Sequence, residues 1–252
     1  MVRHTVATLL LLTATARAGS LILFDTATYP YAKCLDGSPS GYYVRPSTNP
    51  STANRFLIVL EGGGMCTGRA DCTARAATDL GSSKNWSASF DWNSTSLTTT
   101  DPRNYFRAWN TIWVKYCDGS LWTGRRTSAT ADPATFGLWF SGHRTVDALL
   151  DHLAATLGLN ASTAPAAPPQ NKTFLAFAGG SAGGLGVFAN VDHVARRLPH
   201  ATVVGVPIGG YVPAIAWFAG DAHHAPDNDV RDAAFAHHAR QDFAGHFVAY
   251  YL

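Results

Sequence analysis

Four short apolar runs punctuate the chain: RFLIVLEGG (55–63), NTIWVKYCD (110–118), KTFLAFAGG (172–180) and ATVVGVPIGG (201–210). Apolar residues fill consecutive rather than alternate positions, and glycine closes or follows each run. That pattern marks strands buried on both faces. Between the second and third runs, Val146, Leu149, Leu150, Leu153 and Leu157 recur at helical spacing. After the third, Val187, Phe188, Val191, Val194 and Leu198 do the same. Strands alternating with amphipathic helices predict an α/β fold, a mainly parallel sheet covered by helices. STNPSTAN (47–54) and STAPAAPPQ (162–170) read as surface loops, and no internal repeat is visible.

The pattern changes near the end. Five of the ten histidines fall between positions 217 and 247, where no strand-like run occurs. A helical layer near a pocket mouth is expected there. The pairs His223–His224 and His237–His238 invite a metal reading, but adjacent residues do not share a helix face and no H-E-x-x-H pattern appears. Neither a metal nor an organic cofactor is expected.

Composition narrows the class. With 46% hydrophobic residues in 252 positions, the chain carries enough apolar surface for one sizeable core. The net charge of +2, without a basic block, argues against a nucleic-acid partner. At the N-terminus, Arg3 and His4 precede an apolar stretch around Leu9–Leu12, and Ala16-Arg17-Ala18 gives a small-x-small cleavage pattern. Residues 1–18 therefore read as a secretory signal, with residues 19–252 a single domain outside the cell. The apolar stretch is too short to span a bilayer, and no later one suffices. A monomer is expected.

Four cysteines suit an oxidising compartment: Cys34, Cys66, Cys72 and Cys117. Two disulfides are expected, and four cysteines allow three pairings. No CxxC pair favours zinc. N-x-S/T sequons at Asn85, Asn93, Asn160 and Asn171 are candidate glycan sites on surface loops, whereas Asn49 precedes proline.

The stretch FLAFAGGSAGGLGVF (174–188) carries the candidate chemistry. Gly179-Gly180-Ser181-Ala182-Gly183 fits G-x-S-x-G, the sharp strand-to-helix turn that lifts a serine hydroxyl over the end of a sheet. Small neighbours permit the turn. The following helix aims its free N–H groups and positive dipole end at the serine. A phosphate loop would need Gly-Lys-Ser/Thr, which is absent, and a dinucleotide fingerprint would need a glycine where Ser181 stands. A second glycine run, Gly62-Gly63-Gly64, ends the first strand and offers backbone N–H groups to an oxyanion, with the N–H of Ala182 as a further donor.

The blocks AKCLDGSPSGYYVR, LEGGGMC, YCDGSLWTG, LWFSGHRTVDALLDHL and GGSAGGLGVFANVD, in that order over about residues 30–212, resemble the pectin acetylesterase/Notum family of secreted carboxylesterases. The resemblance implies an α/β-hydrolase-like fold and a Ser-Asp-His triad, with Ser181 as nucleophile. The N–H groups of Gly63, Gly64 and Ala182 would form the oxyanion hole. It further implies disulfides Cys34–Cys117 and Cys66–Cys72, and a pocket bordered by Asp118 and Trp122. Position 64, aromatic in Notum-type members, is glycine here, which enlarges that wall. The implied substrate is an acylated polysaccharide such as pectin, with an acylated protein as the alternative and the cell wall as a possible setting.

The resemblance also marks a departure. The family's acid and base blocks lie far downstream of the serine and have no counterpart here. Asp221, Asp227, Asp229, His237, His238 and His246 stand in the required order but carry no matching motif. The expectation is a C-terminally incomplete member, weakly active by itself or a non-catalytic binder of acylated ligands.

Overall fold

The computed structural model describes residues 19–129, 135–160 and 172–210. The signal segment, the 162–170 loop, Asn171 and the histidine-rich end lie outside the described residues. The remainder forms one six-stranded sheet in the order β1-β2-β4-β3-β5-β6. The strands are β1 (Leu21–Leu23), β2 (Gly41–Arg45), β3 (Arg55–Leu60), β4 (Asn110–Val114), β5 (Thr173–Gly180) and β6 (Ala201–Ile208). Three helices accompany them: α1 (Arg69–Arg75), α2 (Gly142–Leu157) and α3 (Ala182–Arg197).

All four predicted strands form, and their mutual pairings, β4 with β3, β3 with β5 and β5 with β6, are parallel. The sheet is accordingly mainly parallel, as an α/β-hydrolase-like fold requires. Two short strands that the apolar pattern does not announce extend it antiparallel at the β4 side. β3 explains why continuous apolar runs are needed. Phe56, Ile58 and Leu60 face one core, while Leu57 and Val59 face another on the opposite side. Each such side chain taken out of water contributes about 1.5–3 kcal/mol.

The two faces are covered differently. α2 and α3 cover the first, through Val146, Leu149, Leu150 and Leu153 on α2 and Val187 and Val194 on α3. Positions 187, 191, 194 and 198 form the inward stripe of α3, so Phe188, one step aside, is exposed rather than in the core. Among the described residues, no helix covers the second face. The segment 90–109, which holds neither helix nor strand, lays Leu97, Phe106 and Trp109 over it. Edge-to-face rings replace helix packing there, Phe106 to Trp109 at 5.1 Å and Trp109 to Phe174 at 5.7 Å. β6 departs from two-sided burial, with Val204 and Ile208 exposed, because it edges the sheet among the described residues.

Two disulfides fasten the frame, Cys34–Cys117 and Cys66–Cys72, the pairing that the resemblance implies. The first ties the turn before β2 to the end of β4. The second starts α1, a helix too short and charged to hold itself by an apolar stripe. Among the described residues, no helix is long and apolar enough to cross a membrane.

Candidate active site

Ser181 stands between the end of β5 and the first residue of α3. Its φ of 54° and ψ of −119° lie in a region that side chains rarely adopt, at a cost of about 1–3 kcal/mol. Backbone bonds hold it there: its N–H donates to the Ile208 carbonyl at 2.8 Å, and its carbonyl accepts from Leu185 N–H at 3.1 Å. The side chain is exposed, and no hydrogen bond among the described residues occupies its hydroxyl.

Two glycines let the turn close. A Cβ on Gly179 would collide with the Gly183 carbonyl, and one on Gly183 with the Leu60 carbonyl. α3 thus begins flush against the end of β3. Because Leu60 pairs with Gly179 in register, the residues that follow both strands emerge side by side. A Cβ at Gly62 would stand 2.6 Å from the Gly180 carbonyl oxygen and 3.2 Å from Ser181 Cβ. The two glycine-rich stretches therefore share the same end of the sheet, beside the serine.

Gly63 and Gly64 follow with φ of 139° and 69°, both exposed. Among the described residues, their N–H groups make no backbone hydrogen bond. Ala182 opens α3, so its N–H lacks an intrahelical acceptor. Arg75 braces the first loop. Its Nη2 donates to the Gly63 carbonyl at 2.7 Å and its Nε to the Leu80 carbonyl at 3.1 Å, with the guanidinium 5.2 Å over the Tyr116 ring. Sequence reasoning passed over Arg75. Its position three residues after Cys72, on a helix pinned by a disulfide to the end of the glycine loop, was the available signal.

Asp118 and Trp122 sit beneath this surface, both buried. Trp122 Nε1 donates to the Glu61 carbonyl at 3.1 Å, and its ring stacks on Tyr116 at 5.3 Å. Gly186 of α3 gives that ring room, since a Cβ there would lie 2.5 Å from Trp122 Cδ1. Glu61 in turn accepts from Lys115 Nζ at 2.6 Å and from the Tyr116 N–H at 2.8 Å. Asp118 accepts from the N–H and hydroxyl of Ser120. Burial pushes its carboxyl above the usual range, against the pull of the Ser120 hydrogen bonds and of Arg75. Trp122 thus supports the loop from behind, while the hydrogen bonds of Asp118 stay within its own turn.

A family model described as Pectinacetylesterase matches residues 12–224, most of the chain. The chain belongs to the pectinacetylesterase family. Its relatives include two kinds. A palmitoleoyl-protein carboxylesterase NOTUM of Schmidtea mediterranea is 35% identical over 193 residues, covering 74% of this chain and 32% of the relative. Pectin acetylesterase 11 of Arabidopsis thaliana is 34% identical over 197 residues, covering 78% of this chain and 46% of the relative. The human palmitoleoyl-protein carboxylesterase NOTUM is 30% identical over 189 residues, 73% of this chain and 34% of the relative. This pectinacetylesterase-family chain therefore spans between about a third and a half of the curated relatives it matches.

Of the sequons, Asn85 and Asn93 are exposed. Asn160 is half-buried, and its side-chain oxygen accepts from the His200 N–H at 3.0 Å. The acid and base candidates from Asp221 to His246 lie outside the described residues.

Proposed function

We propose that this chain is a secreted serine carboxylesterase that removes acetyl groups from a polysaccharide such as pectin. The observation that carries the reading is the strained, exposed Ser181 beside the unengaged amides of Gly63 and Gly64 at one end of a parallel sheet. Ser181 Oγ attacks the ester carbonyl carbon and gives its proton to a base. The N–H groups of Gly63, Gly64 and Ala182 hold the oxyanion, a contribution of about 3–4 kcal/mol per donor in acyl transfer. Collapse expels the alcohol as it takes up the proton. Water then attacks the acyl-serine and releases the acid. The disulfides fit an oxidising compartment, and exposed Asn85 and Asn93 fit glycans.

No block of the sequence matches the family's acid and base motifs, so the expected hydrolysis by this chain is slow. Oxyanion stabilisation and binding alone leave about 10³-fold or more over water. Wild type should acylate at Ser181 and hydrolyse p-nitrophenyl acetate faster than Ser181→Ala, which keeps only the oxyanion hole and binding. Equal rates for the two proteins overturn the reading and leave a non-catalytic acyl-glycan binder.

One observation favours a second reading, deacylation of a lipid-modified protein. A Cβ at Gly64 would meet nothing within 4 Å, so the wall there is open to a longer acyl chain. Faster hydrolysis of p-nitrophenyl octanoate than of the acetate would select it.

A further inference from the structure

α2 and α3 bring together two histidines and a carboxylate away from Ser181: His143, Asp147 and His193, whose ligand atoms all lie within 4.8 Å of one another. His143 and Asp147 are four residues apart and share one face of α2. His193 reaches them from α3. It lies 11 residues beyond Ala182, or about 16 Å along that helix, too far to serve the serine.

The tautomer of His143 is fixed by its neighbours. Asn190 Nδ2 donates to the carbonyls of Trp122 at 3.0 Å and Gly186 at 2.8 Å, which leaves its Oδ1 as an acceptor. That oxygen stands 2.7 Å from His143 Nδ1, so Nδ1 carries the proton. Nε2 is left with a lone pair. The side chain is only 5% exposed, and Nε2 faces Asp147 Oδ2 across 3.8 Å. An acceptor on buried His143 and one on half-buried Asp147 thus face each other across a gap wide enough for a cation. Burial, with Arg125 nearby, lowers the imidazole pKa to about 4, so the ring stays neutral, the form that ligates.

We infer that His143 Nε2, His193 Nε2 and Asp147 Oδ2 form a binding site for a divalent transition metal ion of the zinc type, which staples α2 to α3. Zinc bonds of about 2.0–2.2 Å set tetrahedral ligand atoms about 3.4 Å apart, within the range already present. The Asn190 contact to His143 is the outer-shell partner that orients a ligating imidazole. Binding of the ion at His193 Nε2 requires the tautomer with its proton on Nδ1, so the ion replaces the 2.7 Å hydrogen bond between Nε2 and Asp147 Oδ1. Arg197 holds Asp147 Oδ1 at 3.1 Å, whereas Oδ2 meets, of the arginines, only the longer approach of Arg144 Nη1 at 3.8 Å, which the metal displaces. Positive charge tells against the site: Arg125, Arg144 and Arg197 all act on it, although Arg197 is also paired with Asp151. Affinity in the micromolar rather than the picomolar range is the consequence.

The test is zinc titration of the whole chain, stripped with a chelator, against a chromophoric zinc indicator. Histidines elsewhere bind zinc too, so the readout is a difference. His193→Gln and Asp147→Asn should each take up one zinc fewer per chain than wild type at micromolar free metal. Replacement of exposed His200 by Gln should change nothing. Cobalt(II) should give a visible tetrahedral spectrum that both cluster variants lose. Circular dichroism confirms that the variants remain folded. Equal zinc uptake by wild type and either cluster variant, or an equal loss in His200→Gln, overturns the site.

Discussion

Gly62–Gly64 and Gly179–Gly184 close neighbouring parallel strands, yet the two glycine runs answer different demands. In the second run, backbone comes so near backbone that a methyl group at 179 or 183 has nowhere to go. In the first, Gly64 has open space around its missing Cβ and a left-handed φ of 69°. Gly63 carries φ of 139° and is held from behind by Arg75. Gly179 and Gly183 are glycine for contact, Gly64 for conformation. The crowded run positions a side chain, and the open run presents amides. Identical residues in sequence thus do separate work, which composition alone does not reveal.

Substitutions sharpen that contrast. The largest effect is expected for Gly183→Ala, which drives a methyl into the Leu60 carbonyl and destabilises by about 3 kcal/mol or more in urea unfolding. Next comes Arg75→Met, which removes the clamp on Gly63 and costs about 2 kcal/mol. Its Ser181-dependent hydrolysis should fall about tenfold, equivalent to about 1.4 kcal/mol of barrier. Gly64→Ala should cost only about 1 kcal/mol, for φ alone. A larger loss at Gly64 than at Gly183 would erase the distinction between the runs.

The smallest effect lies away from both runs. His152 sits among the rings of Phe24, Tyr29 and Tyr42, and burial lowers its pKa. As pH falls through about 6.5, the unfolded chain takes up the proton before the native state does, so stability declines. His152→Phe should flatten that decline in melting curves taken from pH 7 to 5.

The sequence makes the parallel strands legible because burial on both faces forces apolar residues into unbroken runs, as in Phe56–Leu60 and Leu175–Ala178. β1 escapes notice because three residues give no period. β2, GYYVR, escapes because its tyrosines read as polar or apolar equally well. The irregular cover at 90–109 has no periodicity to detect, since its shape comes from ring contacts and from turns such as the one Asn93 organises by accepting from Thr99 and Thr100. At the site, Ser181 is legible through its glycines. Arg75 is not, because its role depends on a loop folding back onto a helix. The three-residue cluster on α2 and α3 is equally silent in sequence, its members joined only when the helices pack.

Register is the quiet determinant of this molecule. Since Leu60 and Gly179 sit opposite one another, the serine and the amide loop are aligned by ladder hydrogen bonds rather than by the long stretch of chain between them. That stretch is long, yet the spacing of the serine and the loop is set by the pairing of β3 with β5. Changes confined to the connecting loops leave the strand pairing, and with it the place of Ser181, untouched.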